Sequence, residues 1–147
     1  MRLALYQPDI PQNVGAAIRI AACFDAEIDI IGPAGFPLAG KALRRAAMDY
    51  AELAPPTVHD NWAAFLESCA GSRKILLTTR AESSIWDFPF SGDDIIIMGQ
   101  ESAGAPDDIH DSVDCRLTIQ LSAQARSLNV HVAAAVTLAE ARRQVGW

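Results

Sequence analysis

Short apolar runs alternate along the chain with longer segments in which apolar residues recur at helical spacing. Residues 3–6, 28–31, 74–78 and 95–98 are brief and almost wholly apolar, the pattern of strands covered on both faces; residues 116–121 alternate enough to add a last strand. Helical patterns fall at 14–24, at 41–48, from Asp60-Asn61 to Gly71, at 107–114, and at about 129–144. Asn13 stands where a helix N-cap belongs. Every residue from 14 to 24 except Gly15 and Arg19 is apolar, which predicts a helix buried nearly all round. Strands alternating with helices define an α/β fold on a parallel sheet, and a flavodoxin-like doubly wound order is its plainest topology.

At 147 residues, half of them hydrophobic, the chain fits one domain, 1–147, with a real core. A mean hydropathy of +0.12 excludes disorder, yet no apolar run approaches the ~18 residues of a membrane span. The first residues are too sparsely apolar for a signal peptide, so a cytoplasmic location is expected. Cys23, Cys69 and Cys115 are odd in number and lack C-x-x-C spacing, which indicates neither a disulfide framework nor a metal site. A net charge of −6 argues against nucleic-acid binding by a generally basic surface but leaves room for a local patch. Lys41, Arg44 and Arg45 form the densest positive cluster, and a solvated helix face is its plainer reading.

The chain is organised around residues 94–106, a buried strand delivering a glycine-bearing polar loop. Gly99-x4-Gly104 has the glycine spacing of a P-loop, but Ala105-Pro106 stands where Lys and Ser/Thr must follow. The loop therefore binds by backbone and shape, with Glu101 its only charge, or it is a tight structural turn. Arg19 is the second anomaly, because a guanidinium on an apolar helix is costly unless paired or wet. Two readings stay open for it: a snorkelling or paired arginine, or a cation held rigidly at a substrate site. His110 reads as solvated, and His131 as the start of a helix.

Three blocks occur in order: Pro11-Gln-Asn13-Val-Gly15-x-x-x-Arg19, Met98-Gly99-Gln-Glu101-Ser-Ala-Gly104-Ala-Pro106, and Ile119-x-Leu121 followed by Ala125-Arg126-Ser127-Leu128-Asn129-Val130. Together they resemble the SPOUT RNA methyltransferases over the whole length, nearest the small single-domain members that methylate the ribose 2′-hydroxyl of the wobble nucleotide, position 34, of tRNA. The resemblance implies a parallel sheet with helices on both faces whose carboxyl-terminal third makes a deep trefoil knot, against the usual rule of unknotted chains. It implies S-adenosylmethionine bound in the knot by Leu77, Gly99, Ile119, Ser127 and Leu128, with Gly99 admitting the cofactor. It implies catalytic roles for Arg19, Asn13 and Glu101. It also implies a homodimer with the active site at the interface, formed by the first and last helices, in which Arg44, Arg45 and Arg126 gather in one groove for the tRNA anticodon loop. Two positions depart from the family pattern, Ala103 where arginine is frequent and Ala139 near a frequent aromatic, and both bear on the choice of nucleoside. The alternatives are another tRNA or rRNA position and, from a different class, a non-catalytic flavodoxin-like binding module.

Overall fold

The computed structural model describes all 147 residues. Six strands, β1 (Arg2–Tyr6), β2 (Glu27–Ile31), β3 (Thr57–His59), β4 (Lys74–Leu77), β5 (Ile95–Met98) and β6 (Cys115–Leu117), form one sheet in the order β3-β2-β1-β5-β4-β6. Every neighbouring pair is parallel. Six helices accompany them: α1 (Pro11–Cys23), α2 (Lys41–Ala47), α3 (Tyr50–Leu53), α4 (Trp62–Ser68), α5 (Asp107–Ser112) and α6 (Val130–Val145).

The uninterrupted apolar runs follow from this parallel arrangement, because both faces of the sheet are covered. Leu3, Leu5, Ile28, Ile30, Ile96 and Met98 pack on the side of α1 and α6, with Val14, Ile18 and Leu138. Their sequence neighbours Ala4, Ile31, Ile95 and Ile97 point the other way, onto Phe65 of α4 and Ile109 of α5. One charge interrupts that second face. Asp29 of β2 is 1% exposed and receives the Arg2 guanidinium at 2.6 and 2.9 Å and His59 Nε2 at 2.7 Å.

The strand order departs from the flavodoxin type. β5 lies inside β4, next to β1, and the chain then passes both to place β6 at the edge. From that edge it returns to the centre, where α6 packs on α1 and β5. Residues 78–94 are tied to both ends of this passage. Ile85 N donates to Thr118 O and Thr118 N to Ser83 O beyond β6, while Gln144 of α6 accepts from Phe90 N and donates to Phe88 O. The loop 78–94 is thus held at both the start and the end of the carboxyl-terminal passage.

Several expectations change. Helix α1 starts at Pro11 with Ile10 as N-cap and no side-chain cap; Asn13 lies inside the first turn, so its amide is available elsewhere. Burial of α1 is one-sided, with Arg19 and Cys23 exposed, because only one side faces the sheet. β3 and α3 are too short to leave a pattern. The last strand stops at Leu117, after which Thr118 keeps only an isolated bridge to Ser84. His110 is buried at 5% exposure, not solvated, and burial pushes its imidazole below the ordinary histidine range.

Candidate active site

The carboxyl ends of β4, β5 and β6 open together into a cavity of about 600 Å³. Leu77, Thr78 and Thr79 reach it from β4, Met98, Gly99 and Gln100 from β5, and Thr118 and Ile119 from just beyond β6. Ser127, Leu128 and Asn129, with the first turn of α6, close the opposite wall. Half of the lining is apolar, and Glu101 is its only charged side chain. The cavity lies at the strand ends, where α/β sheets carry their ligands, and its lining offers main-chain groups and neutral polar side chains.

The loop after β5 is folded back on itself. Gln100 and Gly104 exchange main-chain hydrogen bonds of 3.0 and 2.8 Å, and Gly104 has φ +72°. A Cβ on Gly99 would sit 2.8 Å from Ala105 N and from Gly104 C, so this glycine makes room for its own loop.

Glu101 ties that loop to α1 and α6. One carboxylate oxygen accepts from Asp9 N at 3.0 Å and the other from Asn13 Nδ2 at 3.1 Å. Because Asn13 donates to a carboxylate, its Oδ1 faces away and accepts from Asn129 Nδ2 at 3.3 Å and His131 Nδ1 at 3.1 Å. His131 therefore carries its proton on Nδ1, and it joins the site's framework besides starting a helix. Asn129 caps α6 by accepting from His131 N. The Asp9 carboxylate accepts from Ser102 Oγ, and its Oδ1 is buried without a partner. Burial, and then Asp9, push Glu101 up from the carboxylate range, whereas hydrogen bonding with Glu101 and Ser102 holds Asp9 down.

Leu77, Gly99, Ile119, Ser127 and Leu128 thus surround one cavity, with Asn13 and Glu101 joined at its mouth. Arg19 is not there. It lies six residues beyond Asn13, about 9 Å along the helix at 1.5 Å per residue, with its guanidinium 5.0 Å from the centre of the Tyr50 ring. Arg44 and Arg45 are exposed on α2, and Arg126 is exposed in the segment that supplies Ser127 and Leu128. The other arginines, Arg2, Arg73, Arg80, Arg116, Arg142 and Arg143, all sit in ion pairs. Arg19, Arg44, Arg45 and Arg126 join none of them, and they are the four that the motifs and the helix cluster single out. Ala103 lines the cavity and Ala139 is exposed on α6.

Sequence reading missed Thr78, Thr79, Gln100 and Thr118, whose signal was their place directly after apolar runs. Asp9, His131 and Tyr50 left none, since contacts between distant elements define them. No group of three or more His, Cys, Asp or Glu side chains is placed to hold a metal, and no helix is long and apolar enough to cross a membrane.

Solved RNA methyltransferases share this fold. The chain belongs to the SpoU rRNA Methylase family, whose model matches residues 1–139. It is 50% identical over 146 residues to the tRNA (cytidine(34)-2′-O)-methyltransferase of Beijerinckia indica, an alignment covering 98% of this chain and 91% of that one. A solved structure described as giving insights into the 2-OH methylation of C/U34 on tRNA superposes with a TM-score of 0.93 at 38% identity, covering 97% of this chain and 94% of that chain. An AdoMet-bound rRNA methyltransferase from Sinorhizobium meliloti superposes with a TM-score of 0.87 at 25% identity, covering 97% of this chain and 55% of the other.

Proposed function

We propose that the protein transfers a methyl group from S-adenosylmethionine to the ribose 2′-hydroxyl of nucleotide 34, a cytidine or modified uridine, of tRNA. The observation that carries this reading is the 50% identity to an enzyme named for that reaction, over 98% of the chain. The cavity fits the cofactor. Its volume lies within the ~300–1,000 Å³ of small-molecule sites, its wall offers strand-end main-chain groups, and Glu101 is the only charged side chain that lines it.

When bound, the cofactor supplies an electrophilic methyl on a sulfonium centre. The chain supplies holding and orientation. Leu77, Gly99, Ile119, Ser127 and Leu128 retain the cofactor, and the Glu101–Asn13–His131 hydrogen bonds fix the cavity mouth through which a ribose approaches. Arg19 offers a cation to an RNA phosphate or to the developing alkoxide; guanidinium groups make poor bases. Arg44, Arg45 and Arg126 contact the anticodon loop, where unpaired nucleotides leave a 2′-hydroxyl within reach.

A homodimer completes the site. Its interface is the outward face of α1 and α6, where Ile20, Val132 and Val136 stand beside small residues and Val132 is 40% exposed. The distance of Arg19 from its own cavity supports this, because a second copy docked on that face can present its own arginine to the cavity. A tRNA substrate places the enzyme in the cytoplasm.

The test is incubation with methyl-labelled S-adenosylmethionine and bulk tRNA from a strain lacking the protein, followed by mass spectrometry of the nucleosides. Label on a 2′-O-methylated pyrimidine at position 34 is expected. Label at another position would move the target, and failure to bind the cofactor would overturn the reading.

A further inference from the structure

Arg19 is exposed, joins none of the ion pairs, and is held by the face of Tyr50 at 5.0 Å. Attraction between a guanidinium and an aromatic face is effective within about 6 Å and leaves the in-plane N–H donors unused. A carboxylate partner would instead occupy two of the five donors and neutralise the charge. The ring therefore keeps the cation in place and ready for an anion.

The placement is built into the backbone. A Cβ on Gly15 would fall 2.3 Å from Ala46 Cβ and 2.5 Å from Ala46 C, so α1 and α2 touch there as only a glycine permits. Arg19 follows Gly15 by four residues, one turn along the same face of α1. Tyr50 follows Ala46 by four residues, across a reversal in which the exposed Met48 adopts φ +52°, a left-handed conformation unusual for a side chain of that kind. The ring is itself fixed, partly buried and packed against the larger hydrophobic core. Packing at Gly15–Ala46 thus sets the register of Arg19 on Tyr50, which explains the glycine-x-x-x-arginine spacing of the first motif.

We propose that Tyr50 is a positioning residue for methyl transfer, holding the Arg19 guanidinium by its ring face so that every N–H donor stays available to the RNA. The proposal rests on the role of Arg19 in the proposed methyl transfer. The experiment compares turnover of tRNA and cofactor affinity in Tyr50→Phe, Tyr50→Leu, Arg19→Ala and the Tyr50→Leu/Arg19→Ala double variant. Tyr50→Phe keeps the ring and is expected within about twofold of wild-type kcat, whereas Tyr50→Leu loses at least about tenfold with the Kd for S-adenosylmethionine unchanged. The double variant is expected to be no slower than Arg19→Ala alone.

Turnover by Tyr50→Leu near the wild-type rate overturns the proposal, as does an equal loss in Tyr50→Phe, which would assign the effect to the hydroxyl, or a double variant slower than Arg19→Ala. Undiminished turnover in Arg19→Ala removes the role of Arg19 itself, and with it the proposal; an inactive Arg19→Ala beside an active Tyr50→Leu removes only the proposal. Should Tyr50→Leu fail to fold, fluorinated phenylalanines at position 50 keep the shape while draining charge from the ring face. A kcat that falls with successive fluorines is then expected, and a flat series overturns the proposal.

Discussion

Asn13 and Glu101, 88 positions apart, meet through a 3.1 Å hydrogen bond at the mouth of the cavity. This bond joins the loop after β5 to the first turn of α1, and Asn13 extends the connection to α6 through Asn129 and His131. Glu101 accepts from two donors, Asp9 N and Asn13 Nδ2, one with each oxygen. In Glu101→Gln one of those donors must face an NH2 group. The variant is expected to lose about 1–3 kcal/mol of stability in urea unfolding, the usual cost of leaving a buried group unsatisfied. A loss below about 0.5 kcal/mol would mean that the loop is held by its own main-chain bonds and not by this one.

Arg44 and Arg45 are exposed and outside the ion pairs, so their charges are available to phosphate. Replacing both by alanine is expected to weaken tRNA binding and to flatten its dependence on salt, by roughly 0.7 in log–log slope for each phosphate of a single strand that is no longer neutralised. Filter binding across a salt series reads this directly. An unchanged slope would take both residues out of the RNA interface.

Glu140 couples acid stability to the tethered loop. Arg143 at 2.8 Å and Gln144 at 2.7 Å hold its carboxyl well below the ordinary carboxylate range, down to about 2. Gln144 is the side chain that bonds Phe88 and Phe90 of the 78–94 loop. A depressed folded-state pKa means that the contribution is complete above the ordinary value of 4.5 and is lost as pH falls from there through about 2. Thermal melts at pH 5 and pH 3 are expected to show a smaller drop for Glu140→Gln than for wild type. Equal drops would assign the acid sensitivity to other carboxylates.

The Asp29 cluster predicts asymmetry between its partners. Asp29 is buried, so Arg2→Ala leaves an anion with only His59 for company. A loss of about 3–5 kcal/mol is expected, the scale for an orphaned buried charge. Replacement of the whole triad by apolar residues of similar volume is expected to cost less than that single change. Denaturant unfolding of the two variants decides it, and a triad variant worse than Arg2→Ala would show that the charges stabilise the fold on balance.

Much of this molecule is local and was therefore readable in the chain. The apolar runs marked β1, β2, β4 and β5 because a parallel strand covered on both faces admits no polar alternation. Asn61 marked the start of α4, where its side chain accepts from Ala64 N, and Gly71, at φ +92°, stands beyond that helix's last turn. The second and third motif blocks lay beside the cavity because strand ends and the loops after them carry ligands in such a sheet, while the first, on α1, reaches it only through Asn13.

Tertiary structure decided the rest. Asn13 reads as a helix cap until Glu101 takes its amide, and His110 reads as solvated until the fold buries it. The inward step of β5 and the outward leap of β6 depend on the path of the chain around residues 78–94, which no local propensity encodes. Arg19 shows the division most plainly. Its oddness on an apolar helix was visible in the sequence, yet only the close approach of Gly15 to Ala46 brings a ring to it, because packing between distant backbones, not residue order, sets which side chains meet.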